Sequence, residues 1–276
     1  MVVGDDPVSG EHASESGRLA QKSVAAFEAA EATVDPSVKA AKLEAAQAYA
    51  AESALAAAYT HLQKAVGLIA VSLPLVVAVG NRVFFDGELQ GSISAYYHTG
   101  MGDYFVGSLF ALAVFFLSYN YRPLPKFQLD NLLSTLASVA AVCVAFFPTA
   151  SDAATATGGE KIVSTVHLVW AGVLFALLAV FSLFLFTKTG SAETVTAEKK
   201  RRNVVYRTCG GIIVGSMLLV VVSNLVKPPG SWHSLFWLES IAVVTFGVSW
   251  LVKGGFLGIL ADRTPTTAGR APVPDR

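Results

Sequence analysis

The sequence predicts an all-α membrane bundle of six transmembrane helices, with both termini cytoplasmic and a cytoplasmic helical arm ahead of the first span. Three observations predict it. Hydrophobic residues make up 53% of the 276 positions and charged residues only 14%, whereas soluble domains carry about 25% charged residues. Six segments approach the roughly 20 apolar residues that a bilayer core requires: 64–80, 103–120, 130–147, 162–187, 204–225 and 232–254. Lysine and arginine are also segregated between alternate loops, as cytoplasmic loops demand. The formal net charge is zero, from 20 basic and 20 acidic side chains, which excludes a nucleic-acid binder resting on bulk positive charge.

The first 63 residues are alanine-rich, charged and without a continuous apolar run. The opening stretch, Met1 to Gly17, is polar and acidic and has no basic region followed by an apolar one, so the first span is expected to serve as its own insertion signal. Asp35-Pro36 reads as a helix start, an N-capping side chain followed by proline at the first helical position. Downstream, Leu55, Tyr59, Leu62 and Val66 recur on one helical face. This helix is expected to run into the first span, and if it begins at Pro36 the arm projects ~40 Å. A weaker helix over 18–33, carrying Leu19, Val24 and Phe27, would pair with it as a hairpin hinged at Asp35-Pro36. Such an arm suits a cytoplasmic protein partner or self-association; a low-complexity extension is the alternative.

The spans carry their own punctuation. Asn81, Asn120, Pro148 and Pro228-Pro229 close spans, and Asp130 is expected to N-cap the third. The fourth run, from Lys161 to Lys188, exceeds the minimum length and is expected to tilt or to extend past the membrane. With the N-terminus inside, 17 basic residues are cytoplasmic and three (Arg82, Lys161 and Lys227) are outside. The transmembrane domain is thus 64–255, followed by a cytoplasmic tail, 256–276, rich in threonine, proline and arginine and expected to be disordered. Cys143 and Cys209 fall near opposite faces and are expected to be unpaired.

Ionisable groups inside spans are costly and mark candidate sites. Asp103, His167 and Glu239 lie within apolar runs, each a turn or two from the outer end of its helix. Other polar groups collect at that level: Ser92, Ser94 and His98 in the first outer loop, Thr149, Ser151 and Asp152 after span three, Ser164, Asn224 at the end of span five, and His233 before span six. No comparable cluster is evident at the inner ends.

Several chemistries fit this set. Asp103, Glu239 and His167, with other histidines, have ligand types that suit a divalent metal such as zinc, but no pair shows the i, i+4 spacing of a helical metal motif. His167 with a carboxylate and Ser94 or Ser164 would suit acid–base or nucleophilic chemistry on a lipid head group. The carboxylates would alternatively pair with His167 or cap neighbouring helices around a polar pocket. A proton or substrate path is the last alternative, though no charged residue continues it inward.

At the inner face, Lys199-Lys200-Arg201-Arg202 reads either as an anionic-lipid patch or as a topology anchor. Trp170, Trp232, Trp237, Tyr96, Tyr97 and Tyr104 match an interfacial aromatic belt. Gly211 and Gly215 form a small-xxx-small pair, whose ordinary meaning is close helix packing. Phosphate-loop, dinucleotide and HExxH patterns are absent, and no cofactor is predicted.

The stretch Ser92 to Gly107, S-I-S-A-Y-Y-H-T-G-M-G-D-Y-F-V-G, resembles the signature after the first span of the domain-of-unknown-function 998 family of prokaryotic membrane proteins. Asp130-Asn131, Phe147-Pro148-Thr149 and Glu239 to Gly254 resemble it too. More remotely the layout is similar to the six-span DRAM-like membrane proteins. The resemblance covers about 64–255; it implies the six-span fold and that Asp103, His167 and Glu239 are family features, but it implies no activity.

The expected function is that of an integral plasma-membrane accessory or lipid-interacting protein, with a polar pocket near the outer leaflet. Its partners would be membrane lipids and, through the arm, a protein or a second copy within a larger complex. The alternative is a membrane-embedded hydrolase or lipid-modifying enzyme using the Asp/His/Glu cluster.

Overall fold

A computed structural model of the chain describes residues 11–118, 129–151, 155–188 and 196–256. Seven α-helices and no strand occur among them. α1 (Glu11–Glu31) and α2 (Pro36–Phe85) form an antiparallel hairpin. The turn is made by Asp35, whose extended backbone lets its carboxylate accept from the amides of Ser37 and Val38 at 2.8 and 3.3 Å. Pro36 supplies the first helical residue, where a missing N–H costs nothing. α2 then continues for 50 residues, about 75 Å, so the arm and the first span are one rod.

The hairpin contact differs from the expected one. Ser23, Ala30, Ala46 and Ala56 are buried in it, and Ser23 Oγ donates to the Ala46 carbonyl at 3.0 Å. Val24, Phe27 and Leu55 are exposed instead. Small side chains let the two backbones approach, and the larger residues are left on the outer faces.

The remaining helices are α3 (Gly102–Ser118), α4 (Leu129–Phe146), α5 (Gly158–Val180), α6 (Ala197–Val226) and α7 (Ser234–Lys253). α5 is prolonged by a π-helical turn, Phe181–Leu185. From α2 onward each helix contacts the next, and α7 returns to contact α2, so six helices close a ring. Five helices are long and apolar enough to cross a membrane: α2, α4, α5 with its extension, α6 and α7. α3 is apolar but has 17 residues. Large apolar side chains stand exposed on the outer faces, among them Leu75, Phe84, Leu117, Phe184, Leu218 and Leu225. A soluble monomer does not present that much apolar surface, and a bilayer covers it. The chain has the architecture of a multi-pass membrane protein.

Several element ends move relative to the sequence reading. Asn81 does not close the first span. The helix runs on to Phe85 and is capped by Asp86 in the left-handed region, while Asn81 turns inward, is buried, and donates from Nδ2 to the Glu88 carbonyl at 3.0 Å. Asp130 lies inside the first turn of α4, and its carboxylate is ion-paired with Lys188 Nζ at 2.5 Å. α5 starts earlier than expected, at Gly158, because Thr157 and Glu160 form a reciprocal capping box there. Asn120, Asp152 and the tail beyond Phe256 lie outside the described residues.

Two packing features hold the ring. α2 and α7 cross at Gly67 and Gly247: a methyl group at Gly67 would lie 2.9 Å from the Gly247 carbonyl oxygen, and one at Gly247 would lie 2.8 Å from that of Gly67. Gly211 and Gly215, the pair expected to mediate packing, have nothing within 4 Å and lie on the outside of α6. Towards the Lys253 end of the ring, Phe116, Phe181, Phe186, Phe246 and Trp250 form an aromatic cluster, with Phe186 and Trp250 edge-to-face at 5.2 Å.

Candidate functional site

The ring lines a partly open chamber of about 60 Å³. That is several times what a single water needs, about 10–15 Å³. α2, α3, α4, α5, α7 and the segment between α2 and α3 contribute wall residues, and α6 contributes none. Along α3 the wall runs from Phe105 through Leu109 and Leu112 to Phe116, about 16 Å at 1.5 Å per residue. Fifteen of the eighteen wall residues are apolar; the other three are Ser94, His167 and Glu239.

Those three sit at one end. Glu239, in the second turn of α7, is half-buried and borders the chamber. Its Oε2 accepts from the backbone amide of Ile93 at 2.7 Å. This ties α7 to the segment between α2 and α3, which covers the chamber's end. The cover is fixed at further points. Phe236 N donates to the Gly91 carbonyl at 2.9 Å, and Gln90 N donates to the Tyr96 hydroxyl at 3.3 Å. Ser92 and Ser94 share a hydrogen bond of 3.1 Å, and Ser94 faces the chamber. Tyr96 was expected in an interfacial belt, but it is fully buried against Phe236. Burial pushes its phenol above the usual range.

His167 is 2% exposed, on the α5 wall of the chamber. Its Nδ1 lies 2.5 Å from the Phe147 carbonyl oxygen. The carbonyl can only accept, so Nδ1 carries the hydrogen and Nε2 is left as the other ring atom. A helix C-terminus offers such unpaired carbonyls, which explains why this histidine stands opposite the end of α4.

The other expected site residues do not join them. Asp103 is exposed on α3, because it precedes the wall residue Phe105 by two positions, about 200° around the helix. His98 is exposed and bonds the Thr149 carbonyl through Nε2 at 2.6 Å. His233 is half-buried at the start of α7 in a left-handed conformation, its Nδ1 without a hydrogen bond. Asn224 is exposed on α6. Among the described residues no three histidine, cysteine, aspartate or glutamate side chains are grouped so as to hold a metal. Position along a helix does not set helical azimuth, so Asp103 does not join the other two.

A second polar cluster lies where none was expected. Lys199, Arg202 and Lys253 are buried at the opposite end of the ring, near the arm. Lys199 Nζ donates to the Phe186 carbonyl at 3.2 Å, and Lys253 Nζ stands 4.8 Å from the centre of the Phe186 ring. Gln63 is buried in the same region, beside Gly254. Of the basic tetrad only Lys200 and Arg201 face outward, so the four do not form one surface patch. A helix turns 100° per residue, and the i, i+3 pair Lys199/Arg202 shares the inner face.

No family model, curated protein or solved structure matches the chain.

Proposed function

We propose that this chain is an integral plasma-membrane accessory protein that interacts with lipid, holding an apolar chain in the chamber with the polar end towards the outer leaflet. One observation carries the reading: the ring lines a slender space, apolar along its length and polar at one end only. An amphipathic molecule has that same distribution. Both termini are cytoplasmic in this proposal, supported by 17 basic residues on the inner segments against three on the outer ones. The exposed Val24, Phe27 and Leu55 support a protein partner or second copy at the arm. The hydrolase alternative loses ground because Asp103 faces away from His167 and Glu239. The resemblance to the domain-of-unknown-function 998 family rests on the quoted segments, and membership is part of the proposal.

The test is photo-labelling in nanodiscs with an uncharged lipid, a monoacylglycerol that carries a diazirine on its acyl chain. Label is expected on chamber-facing Leu109, Leu112 and Leu174, in addition to the outer faces. Ala171→Phe, which places a ring in the chamber, is expected to remove the internal label and leave the external one. Label confined to outward residues such as Leu168, Val169 and Leu218 would refute the reading.

A further inference from the structure

The polar end of the chamber presents two atoms without a hydrogen bond among the described residues. Glu239 spends Oε2 on the Ile93 amide, and Oε1 has no hydrogen bond among the described residues. His167 turns Nδ1 to the end of α4, where it meets the Phe147 carbonyl with the Val144 carbonyl beside it, and Nε2 has no hydrogen bond among the described residues. Both side chains border the same space, and the rest of its wall, apart from Ser94, is apolar.

From this geometry we infer that the chamber selects an uncharged amphiphile bearing a hydroxyl head, such as a long-chain alcohol, with its alkyl chain lying between α3 and α5. The inference rests on the proposed lipid-holding role and specifies its ligand. A charged head would be desolvated against apolar walls, which is costly unless it is fully paired. When one titratable proton is held between the two side chains, on Oε1 or on Nε2, they offer one donor and one acceptor. A hydroxyl both donates and accepts, so it meets either arrangement. An ammonium only donates and a carboxylate only accepts, and each meets just one of the two atoms. The Ser94 hydroxyl, held by Ser92, is a third partner on the cover side.

The experiment is competition against the chamber label in nanodiscs, using 1-decanol, decane, decylamine and decanoate at matched mole fractions in the bilayer. Decanol is expected to compete about tenfold better than decane, the worth of one net hydrogen bond. In Glu239→Leu the two should become equal, with decane unchanged. Glu239→Leu also frees the Ile93 amide, so His167→Leu, which leaves that tether in place, provides a second variant and should narrow the ratio as well. Decane matching decanol in the unaltered protein overturns the inference while leaving the lipid-holding role standing; so does stronger competition by decylamine or decanoate. Absence of any chamber label refutes the lipid-holding role itself.

Discussion

Glu239 and Ile93 are 146 residues apart and joined by a 2.7 Å hydrogen bond from the Ile93 amide to the Glu239 carboxyl. The bond fixes the segment between α2 and α3 over the chamber and leaves Oε1 as the other carboxyl oxygen. Glu239→Leu leaves a buried amide without a partner, which costs about 1–3 kcal/mol. Glu239→Gln keeps an acceptor and is expected to cost less. Thermal unfolding in detergent measures the difference, and hydrogen exchange at the Ile93 amide should rise only in the leucine variant.

The crossing of α2 and α7 yields a contrast between glycines. Gly247→Ala forces a methyl group to within 2.9 Å of Val71 N and the Gly67 carbonyl, backbone atoms that cannot give way. Separating the helices is expected to cost about 1–3 kcal/mol. Gly211→Ala meets open space and should be neutral, or stabilising by up to about 1 kcal/mol through helix propensity. Unfolding midpoints of the two variants should move in opposite directions or differ clearly in size.

The capping groups are pH-sensitive. Backbone hydrogen bonding to Thr157 holds the Glu160 carboxyl below its usual range, and the Ser37 hydroxyl, followed by the Ser37 amide, lowers that of Asp35. A carboxyl lowered by folding stabilises the folded state above its unfolded pKa, and that stabilisation is lost as pH falls through the lowered folded value. The first turns of α5 and α2 are therefore expected to fray on acidification below the ordinary carboxylate range. Amide exchange at Glu160 and Ser37, followed as pH is lowered, checks this. Thr157→Ala, which removes the reciprocal cap, should fray α5 already at neutral pH.

The cations at the start of α6 separate by burial. Arg202 is 1% exposed, and Arg202→Ala is expected to destabilise by about 2 kcal/mol or more, since it empties a packed, polar site. Lys200→Ala and Arg201→Ala alter outward residues and should stay within about 0.5 kcal/mol. If the exposed pair binds anionic lipid, association of the purified protein with phosphatidylserine-rich nanodiscs should weaken in the Lys200/Arg201 double variant and respond to salt.

Much of the fold could be read directly. The start of α2 at Pro36 follows from local chemistry, because an aspartate cap and a proline act on neighbouring backbone atoms. The apolar runs follow from composition, because each must satisfy its own backbone hydrogen bonds wherever it sits in a bilayer. The π-helical turn after α5 and the inward turn of Asn81 had no local signal; both depend on what the neighbouring segments present.

The sequence by itself determined that this is an all-helical chain with several apolar helices, and it placed Asp103, His167 and Glu239 near the same helix ends. Tertiary structure decided which of them meet. Height along a helix follows from residue number, but direction around it is set by which neighbour each face packs against. Closure of the ring therefore turned His167 and Glu239 into one chamber, left Asp103 outside, and drew Lys199 and Arg202 into the interior.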